Sequence, residues 1–139
     1  MSITSAALAT AHLTATLAMM DSGSTGSTGG AKLKLYSSLA QPAPGDAAMC
    51  TIHLARPSAV VSGASLILSA PEPGLVMTAG MPRWGVLEGA DGTALHTGDV
   101  SDAEHDGFYK VSGAQTPPGE TTPMFQAGAT VTLGAVVYT

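Results

Sequence analysis

The sequence predicts an all-β fold, a two-sheet sandwich of the jelly-roll kind preceded by a short N-terminal helix. The chain of 139 residues holds 17 glycines and 9 prolines, which suits many short strands joined by tight turns. Strand-like segments follow one another from residue 31 onward, with no helical pattern between them. Apolar residues make up 45% of the chain and charged residues 11%, so a core can form and ordinary disorder is not expected.

The N-terminal segment Ile3–Met20 predicts the helix, with Thr4 or Ser5 as its cap. Apolar residues recur along one face in steps of three and four residues. They are Ala6, Ala9, Leu13, Leu17 and Met20. The abundance of alanine and threonine would let this helix lie close against another surface, which a helix of this length needs for stability.

A flexible tether is predicted next, because Asp21–Gly30 consists almost entirely of Gly, Ser and Thr. We therefore divide the chain into an N-terminal arm, residues 1–30, and a β-sandwich domain, residues 31–139. The sequence leaves two arrangements open: the helix docks on its own domain, or it reaches a neighbouring protein through the tether.

Eight short segments predict strands, because each is apolar or alternating and is bounded by turn-forming residues. They are Lys32–Tyr36, Met49–Leu54, Ser65–Ser69, Leu75–Thr78, Arg83–Glu88, Thr93–Val100, Gly107–Val111 and Thr130–Tyr138. Asp91-Gly92 predicts a hairpin turn between two of them. The proline-rich run Gln115–Pro123 predicts a stiff loop, and Gly134 a bulge in the last strand.

Charge and cysteine content exclude several classes of protein. The formal net charge is −5 with only five Lys and Arg residues, so no basic stripe can form and nucleic-acid binding is not expected. A single cysteine, Cys50, permits no intramolecular disulfide, and its apolar neighbours predict a buried small side chain.

The N-terminus lacks the features of a targeting or membrane segment. Apart from His12, nothing basic precedes Met20, and several Ser and Thr residues interrupt the apolar run. It therefore predicts neither a signal peptide nor a membrane span. We expect a soluble protein made in a cytoplasm.

The densest polar cluster is Asp99–Asp106, where Asp99, Asp102, Glu104 and Asp106 could offer oxygens to Ca²⁺. The spacing does not match the calcium loop of helix–loop–helix sites, because the glycine and the terminal glutamate are out of place. A solvated loop is therefore the preferred interpretation, with cation binding left open.

The remaining chemistry is sparse, and we predict no catalytic, cofactor-binding or metal-binding residue. The four histidines form no metal-binding spacing, and they are His12, His53, His96 and His105. His53 is expected on the surface of a strand, and convergence of His53 with His96 is not indicated. No serine lies in a nucleophile elbow, and Gly23–Gly30 lacks the lysine of a phosphate loop. The chain is not expected to be an enzyme.

Trp84 is the one notable aromatic position. In a sugar-binding sandwich an exposed tryptophan stacks on a ring. Here Trp84 precedes Gly85 and Val86 in a strand-like segment, which favours a core or interface residue, since large aromatic side chains most often serve packing.

Several short motifs occur together and in order. A helix and a Gly/Ser linker precede the strand and turn-rich segment Lys32–Asp46, which is followed by the apolar strand MCTIHLA. A hairpin then runs from Trp84 to Asp91-Gly92, and the closing strand Ala129–Tyr138 follows Ala127-Gly128. In this combination the chain, over about Ile3–Thr139, resembles a family of small tailed-bacteriophage virion proteins.

This resemblance implies a non-catalytic virion structural protein, made in the cytoplasm of the bacterial host. We expect a capsid cement (decoration) protein on the capsid exterior, which binds and stabilises the shell of the major capsid protein. Symmetric shell sites favour a homo-oligomer, a dimer or a trimer. No nucleic-acid or membrane partner is expected.

Three other functions are weighed against this one. A tail or head–tail component would share the same composition and differ only in location. A carbohydrate-binding β-sandwich module would need several exposed aromatic residues, and the chain has one Trp, two Phe and three Tyr. A small metal-dependent jelly-roll enzyme would need convergent metal ligands.

Overall fold

The structure, a computed structural model, describes residues 5–21, 30–43, 45–55, 58–62, 65–68, 70 and 72–138. One helix precedes the strands, as the sequence predicts, and the all-β class is confirmed. The elements are α1 (Ala6–Asp21), β1 (Lys32–Tyr36), β2 (Cys50–His53), β3 (Ala59–Ser62), β4 (Ser65–Leu68), β5 (Gly74–Val76), β6 (Trp84–Glu88), β7 (Ala94–Ser101), β8 (Tyr109–Ser112), β9 (Thr130–Leu133) and β10 (Val137–Tyr138).

Seven strands form a closed barrel in the order β1-β2-β5-β9-β8-β7-β6. Strand β1 pairs antiparallel with β2 on one side and with β6 on the other. Alternate burial holds over Lys32–Leu35, since Leu33 and Leu35 are fully buried while Lys32 and Lys34 are partly exposed, but Tyr36, expected on the face of the lysines, is buried as well. Leu33 and Leu35 are therefore among the side chains that fill the barrel interior.

The pairing differs from the expected two-sheet sandwich because the sheet closes on itself. Strands β7 and β8 pair in parallel, through Val100 with Tyr109 and Ser101 with Lys110. A register shift between Leu87 and Glu88 interrupts the β6–β7 ladder, and such bulges increase the local twist that closure requires. Alternation in sequence shows which side chains are buried, but not which strands are neighbours, so a sandwich and a barrel give the same pattern.

The remaining strands form a separate three-stranded sheet in the order β10-β4-β3. Strand β3 was not expected, because its sequence, AVVS, is too short and too uniform to show alternation. The expected single strand Thr130–Tyr138 is two strands instead, β9 in the barrel and β10 in this sheet. Gly134 lies between them, and its N–H donates to the carbonyl oxygen of Lys110 at 2.7 Å. The chain thus leaves one sheet for the other at Gly134.

Helix α1 packs against β3 and β4. The Ser5 hydroxyl accepts a hydrogen bond from the N–H of Leu8 at 3.2 Å, which is the N-cap expected at that position. Leu13 and Met20 are buried and belong to the main hydrophobic core. At the other end, the carbonyl oxygen of Met20 accepts from the N–H of Ala90 at 2.8 Å. Residues 1–4, with the other candidate cap, lie outside the described residues.

A buried polar junction holds the end of α1 close to the starts of β1 and β3. The Ser58 hydroxyl accepts from the N–H of Ala31 at 2.7 Å and donates to the carboxylate of Asp21. The same carboxylate accepts from the N–H of Ser58 at 3.0 Å. The proposed tether between Asp21 and Gly30 falls on residues 22–29, outside the described residues, so the division into an arm and a domain stays a prediction.

The predicted hairpin between β6 and β7 is confirmed. The N–H of Gly89 donates to the carbonyl oxygen of Thr93 at 2.9 Å, and the N–H of Gly92 to that of Gly89 at 2.9 Å. Gly92 has φ 88°, a left-handed conformation that glycine adopts without strain. The Asp91 carboxylate accepts from the N–H of Thr93, which closes the turn.

Candidate interaction surface

Large apolar side chains are exposed on several faces of the molecule. The most exposed are Leu39, at 80%, and Met77, at 70%. Exposed large apolar residues among those described are Leu8, Met19, Leu39, Val60, Ile67, Leu75, Met77, Phe108 and Met124. Single exposed apolar residues are ordinary on protein surfaces, but grouped ones mark contact sites.

One group belongs to α1 and to the three-stranded sheet on which it packs. Val60 and Ile67 are directly opposite each other on β3 and β4, so their exposed side chains are neighbours on one face. Leu8 and Met19 lie on the same side of α1, because residues three turns apart share a side in a helix of about 3.6 residues per turn. These are two exposed apolar patches, Leu8 with Met19 on α1 and Val60 with Ile67 on the sheet, and we refer to the four residues together as the helix–sheet surface.

The helix–sheet surface is uncharged. Helix α1 carries no acidic residue in its first turn and no basic residue in its last turn, and no charged residue occurs in β3 or β4. A surface helix normally shows a charged face opposite its apolar one, and an edge strand is normally protected by charge or proline. Both protections are missing here, so this surface is suited to contact with another protein.

A hydrogen-bonded chain of aromatic side chains lies at one end of the barrel. The Nδ1 atom of His96 is 2.7 Å from the hydroxyl oxygen of Tyr109, which is 2.7 Å from the hydroxyl oxygen of Tyr138. Phe108 packs beside them, with its ring centre 4.6 Å from that of His96. The chain links β7 and β8 of the barrel to β10 of the separate sheet.

Burial controls the protonation of this chain. It lowers the pKa of His96, and it raises the pKa of Tyr138 to about 12 and that of Tyr109 further still. All three groups are therefore neutral at pH 7, and Nδ1 of the neutral His96 can accept a hydrogen bond from the hydroxyl of Tyr109. The sequence placed His96 in a strand but gave no sign of its two tyrosine partners, since Tyr109 and Tyr138 come from distant segments.

Tyr109 is positioned by two glycines that face it. Gly85 and Gly98 are opposite each other on β6 and β7. A Cβ atom at Gly85 would lie 2.8 Å from Cδ2 of Tyr109, and one at Gly98 would lie 3.2 Å from its Cε2. The fully buried ring of Tyr109 therefore occupies the space that side chains at these two positions would fill.

The acidic segment Asp99–Asp106 begins in the last residues of β7 and continues into the hydrogen-bonded loop that leads to β8. The carboxylate of Asp102 accepts from the hydroxyl of Thr116 at 2.6 Å, from the N–H groups of Glu104 and His105, and contacts Nδ1 of His105 at 2.6 Å. These bonds, first that of Thr116, lower the pKa of Asp102 to about 2. The carboxylate of Asp102 therefore organises the loop.

Apart from the contact between His105 and Asp102, the described histidines lie apart from the acidic residues that could join them in a metal site. His12 and His53 are exposed, as expected for His53, while His96 is half-buried inside the barrel end. Among the described residues, no group of three or more His, Cys, Asp and Glu side chains lies close enough to hold a metal ion.

Cys50 is buried, which confirms that prediction. Its burial raises the pKa of the thiol to about 11, so the thiol stays protonated at pH 7.

Trp84 is neither in the core nor fully exposed. Its side chain is half-buried, and its indole N–H donates to the carbonyl oxygen of Leu39 at 3.3 Å. Its place at the rim of the barrel favours a contact residue over a core residue.

No protein-family model, curated protein or solved structure matches this chain. The similarity to tailed-phage virion proteins therefore stays a prediction. Within the described part of the chain, no helix combines the length and the apolar character needed to cross a membrane.

Proposed function

We propose that this chain is a non-catalytic structural protein of a bacteriophage virion, a capsid cement protein that binds and stabilises the shell of the major capsid protein. The observation that carries the proposal is the helix–sheet surface. Four large apolar side chains are exposed there, on strands that carry no charged residue and on a helix whose one charged residue, Asp21, is engaged in the junction with Ser58. A surface of this kind gains free energy when another protein covers it.

The docking of α1 on its own sheet supports a rigid contact surface. The buried Leu13 and Met20, together with the junction between Asp21 and Ser58, fix the helix against β3 and β4. The contact surface is therefore ordered before a partner binds, so binding loses little conformational entropy in this part of the chain. In this proposal the partners are the major capsid protein and further copies of this chain, assembled as a dimer or trimer on the capsid exterior.

The decisive experiment is to count and locate the protein in purified particles. Quantitative mass spectrometry against the major capsid protein gives the copy number, and electron microscopy gives the position. A copy number comparable to that of the shell protein, with density outside the shell, supports a cement protein. A few copies at the tail or neck would favour a tail or head–tail component, and absence from particles would overturn both functions.

A further inference from the structure

A cleft of about 230 Å³ lies on the outside of the barrel beside Trp84. Its lining residues are Leu39, Arg83, Trp84, Asp99, Val100, Thr121 and Thr122. Trp84 and Asp99 are directly opposite each other on β6 and β7, so their side chains leave the same face of the sheet. An indole and a carboxylate are thus side by side at the edge of one cleft.

Hydrogen bonds and an ion pair fix the walls of this cleft. The indole N–H of Trp84 donates to Leu39, and one carboxylate oxygen of Asp99 accepts from the N–H of Phe108 at 2.9 Å. An Nη atom of Arg83 lies 3.5 Å from a carboxylate oxygen of Glu120. The polar groups are therefore held in place before any ligand arrives, as in preformed binding sites.

The chemistry of the lining is mixed and electrically balanced. Leu39 and Trp84 provide apolar surface, Arg83 and Asp99 carry opposite charges, and two threonines add hydroxyl groups. The hydroxyl of Thr122 is buried and has no hydrogen-bond partner among the described residues, which is uncommon for a buried polar group. Glu120, the ion-pair partner of Arg83, does not line the cleft, so among the lining side chains an anion would meet the carboxylate of Asp99 and a cation the guanidinium of Arg83.

We propose that this cleft binds one neutral, hydroxylated ring, such as a pyranose unit of a glycan. Such a ring has an apolar C–H face that can lie on the indole, and hydroxyls at its rim that can bond to a carboxylate and a guanidinium. The volume of about 230 Å³ is below the roughly 300 Å³ at which sites for larger ligands begin, so it suits a single ring. The proposal is independent of any role in a virion.

The only tryptophan of the chain reports directly on this cleft. We would titrate the purified protein with the methyl glycosides of glucose, galactose and N-acetylglucosamine, and follow tryptophan fluorescence. Glucosamine and glucuronate would serve as charged analogues of the same ring. A saturable change with at least one neutral glycoside, and weaker binding of both charged analogues, is the expected result. No saturable change with any neutral glycoside, or tighter binding of a charged analogue, would overturn the proposal.

A matched pair of variants tests the role of the carboxylate. Asp99→Asn keeps the oxygen that accepts from Phe108 but removes the charge, and should weaken glycoside binding by about fivefold to tenfold, because charge-assisted hydrogen bonds are roughly twice as strong as neutral ones. Asp106→Asn changes an exposed acid of the same loop that does not line the cleft, and should bind as the unchanged protein does. Equal affinity in the two variants would show that the glycoside does not use Asp99.

Discussion

At the scale of single residues, Gly85 lies in close contact with the buried ring of Tyr109 in the barrel wall. Gly85→Ala would place a Cβ atom 2.8 Å from the buried ring, so the ring or the strand must shift. We expect this change to lower the free energy of unfolding by about 1–3 kcal/mol, the usual cost of overpacking a core. Denaturant unfolding of the purified variant would measure it.

A double-mutant cycle assigns that cost to the tyrosine. In a Tyr109→Leu background the ring is absent, so Gly85→Ala should cost less than it does alone. If the two changes prove additive, the strain arises from the backbone of β6 and not from contact with the ring.

The buried imidazole of His96 makes stability depend on pH. Its pKa in the folded protein lies below the ordinary value of 6.5, so the unfolded chain binds more protons as the pH falls through that value. Stability should therefore be greatest above about pH 7, fall as the pH drops through about 6.5, and level off below the folded pKa. Chemical denaturation from pH 8 to pH 5 would follow this change.

The variant His96→Phe provides the control, because it cannot titrate. We expect its stability to vary less between pH 8 and pH 5 than that of the unchanged protein. Asp102 affects stability at lower pH than His96 does. Its pKa of about 2 in the folded protein lies below the ordinary value of 3.8, so the stability that its ionised carboxylate provides is lost only as the pH falls from about 4 towards 2. If the stability of His96→Phe still falls near pH 6.5, another titratable group causes that fall.

At the scale of elements, helix α1 contributes to the stability of the sheet that it covers. Leu13 is 6% exposed and Leu8 is 48% exposed, so the two leucines form a matched pair on one helix. Leu13→Ala should lower the free energy of unfolding by about 2–5 kcal/mol, while Leu8→Ala should change it by less than about 0.5 kcal/mol. Thermal or denaturant unfolding gives both values, and equal effects would mean that α1 does not pack as described.

The junction at Ser58 joins three elements, α1, β1 and β3, and should contribute to the free energy of unfolding as a buried apolar contact does. Ser58→Ala leaves the N–H of Ala31 and the carboxylate of Asp21 without the hydroxyl that they share. We expect a loss of about 1–3 kcal/mol, the cost of a buried polar group left unsatisfied. Ser62→Ala, at an exposed position of β3, is the control and should be nearly neutral in the same unfolding experiment.

At the scale of the whole molecule, the sequence predicts features that depend on a few neighbouring residues, but it does not predict which distant strands pair. Strand β1 and the Asp91-Gly92 hairpin were predictable, because alternation and turn chemistry act over a few residues. The barrel was not predictable, because closure depends on the parallel pairing of β7 with β8 across the loop of residues 102–108. Parallel neighbouring strands usually need a longer connection. Here the side chains of Asp99 and Asp102 accept hydrogen bonds from backbone N–H groups of the connecting loop, which hold the short connection in place.

The difference between local and long-range features also explains which parts of the candidate contact surfaces could be predicted from the sequence. Trp84 and the acidic segment stood out as single features of the sequence. The helix–sheet surface did not, because Val60 lies in the strand that was not expected, and its pairing with Ile67 exists only in the folded sheet. The low fraction of charged residues, 11% of the chain, is compatible with a protein-covered surface but gives no position for it.

The helix–sheet surface can be tested by placing charge on it without unfolding the protein. Val60→Glu with Ile67→Lys puts opposite charges on a directly paired, exposed position, where they attract each other and leave the sheet intact. Covering them would cost on the order of several kcal/mol for each ion, which their mutual attraction offsets only in part. Binding to particles assembled without this protein should therefore weaken by about tenfold or more, as measured by co-sedimentation.

Thr132→Glu, at an exposed position of barrel strand β9, introduces charge away from that surface and serves as the control. It should bind particles as the unchanged protein does, and both variants should melt close to the unchanged protein, since exposed substitutions seldom alter stability by more than about 0.5 kcal/mol. If the paired variant binds fully and Thr132→Glu does not, the contact lies on the barrel. The uncharged face of α1, β3 and β4 would then need another explanation, such as contact between copies of this chain.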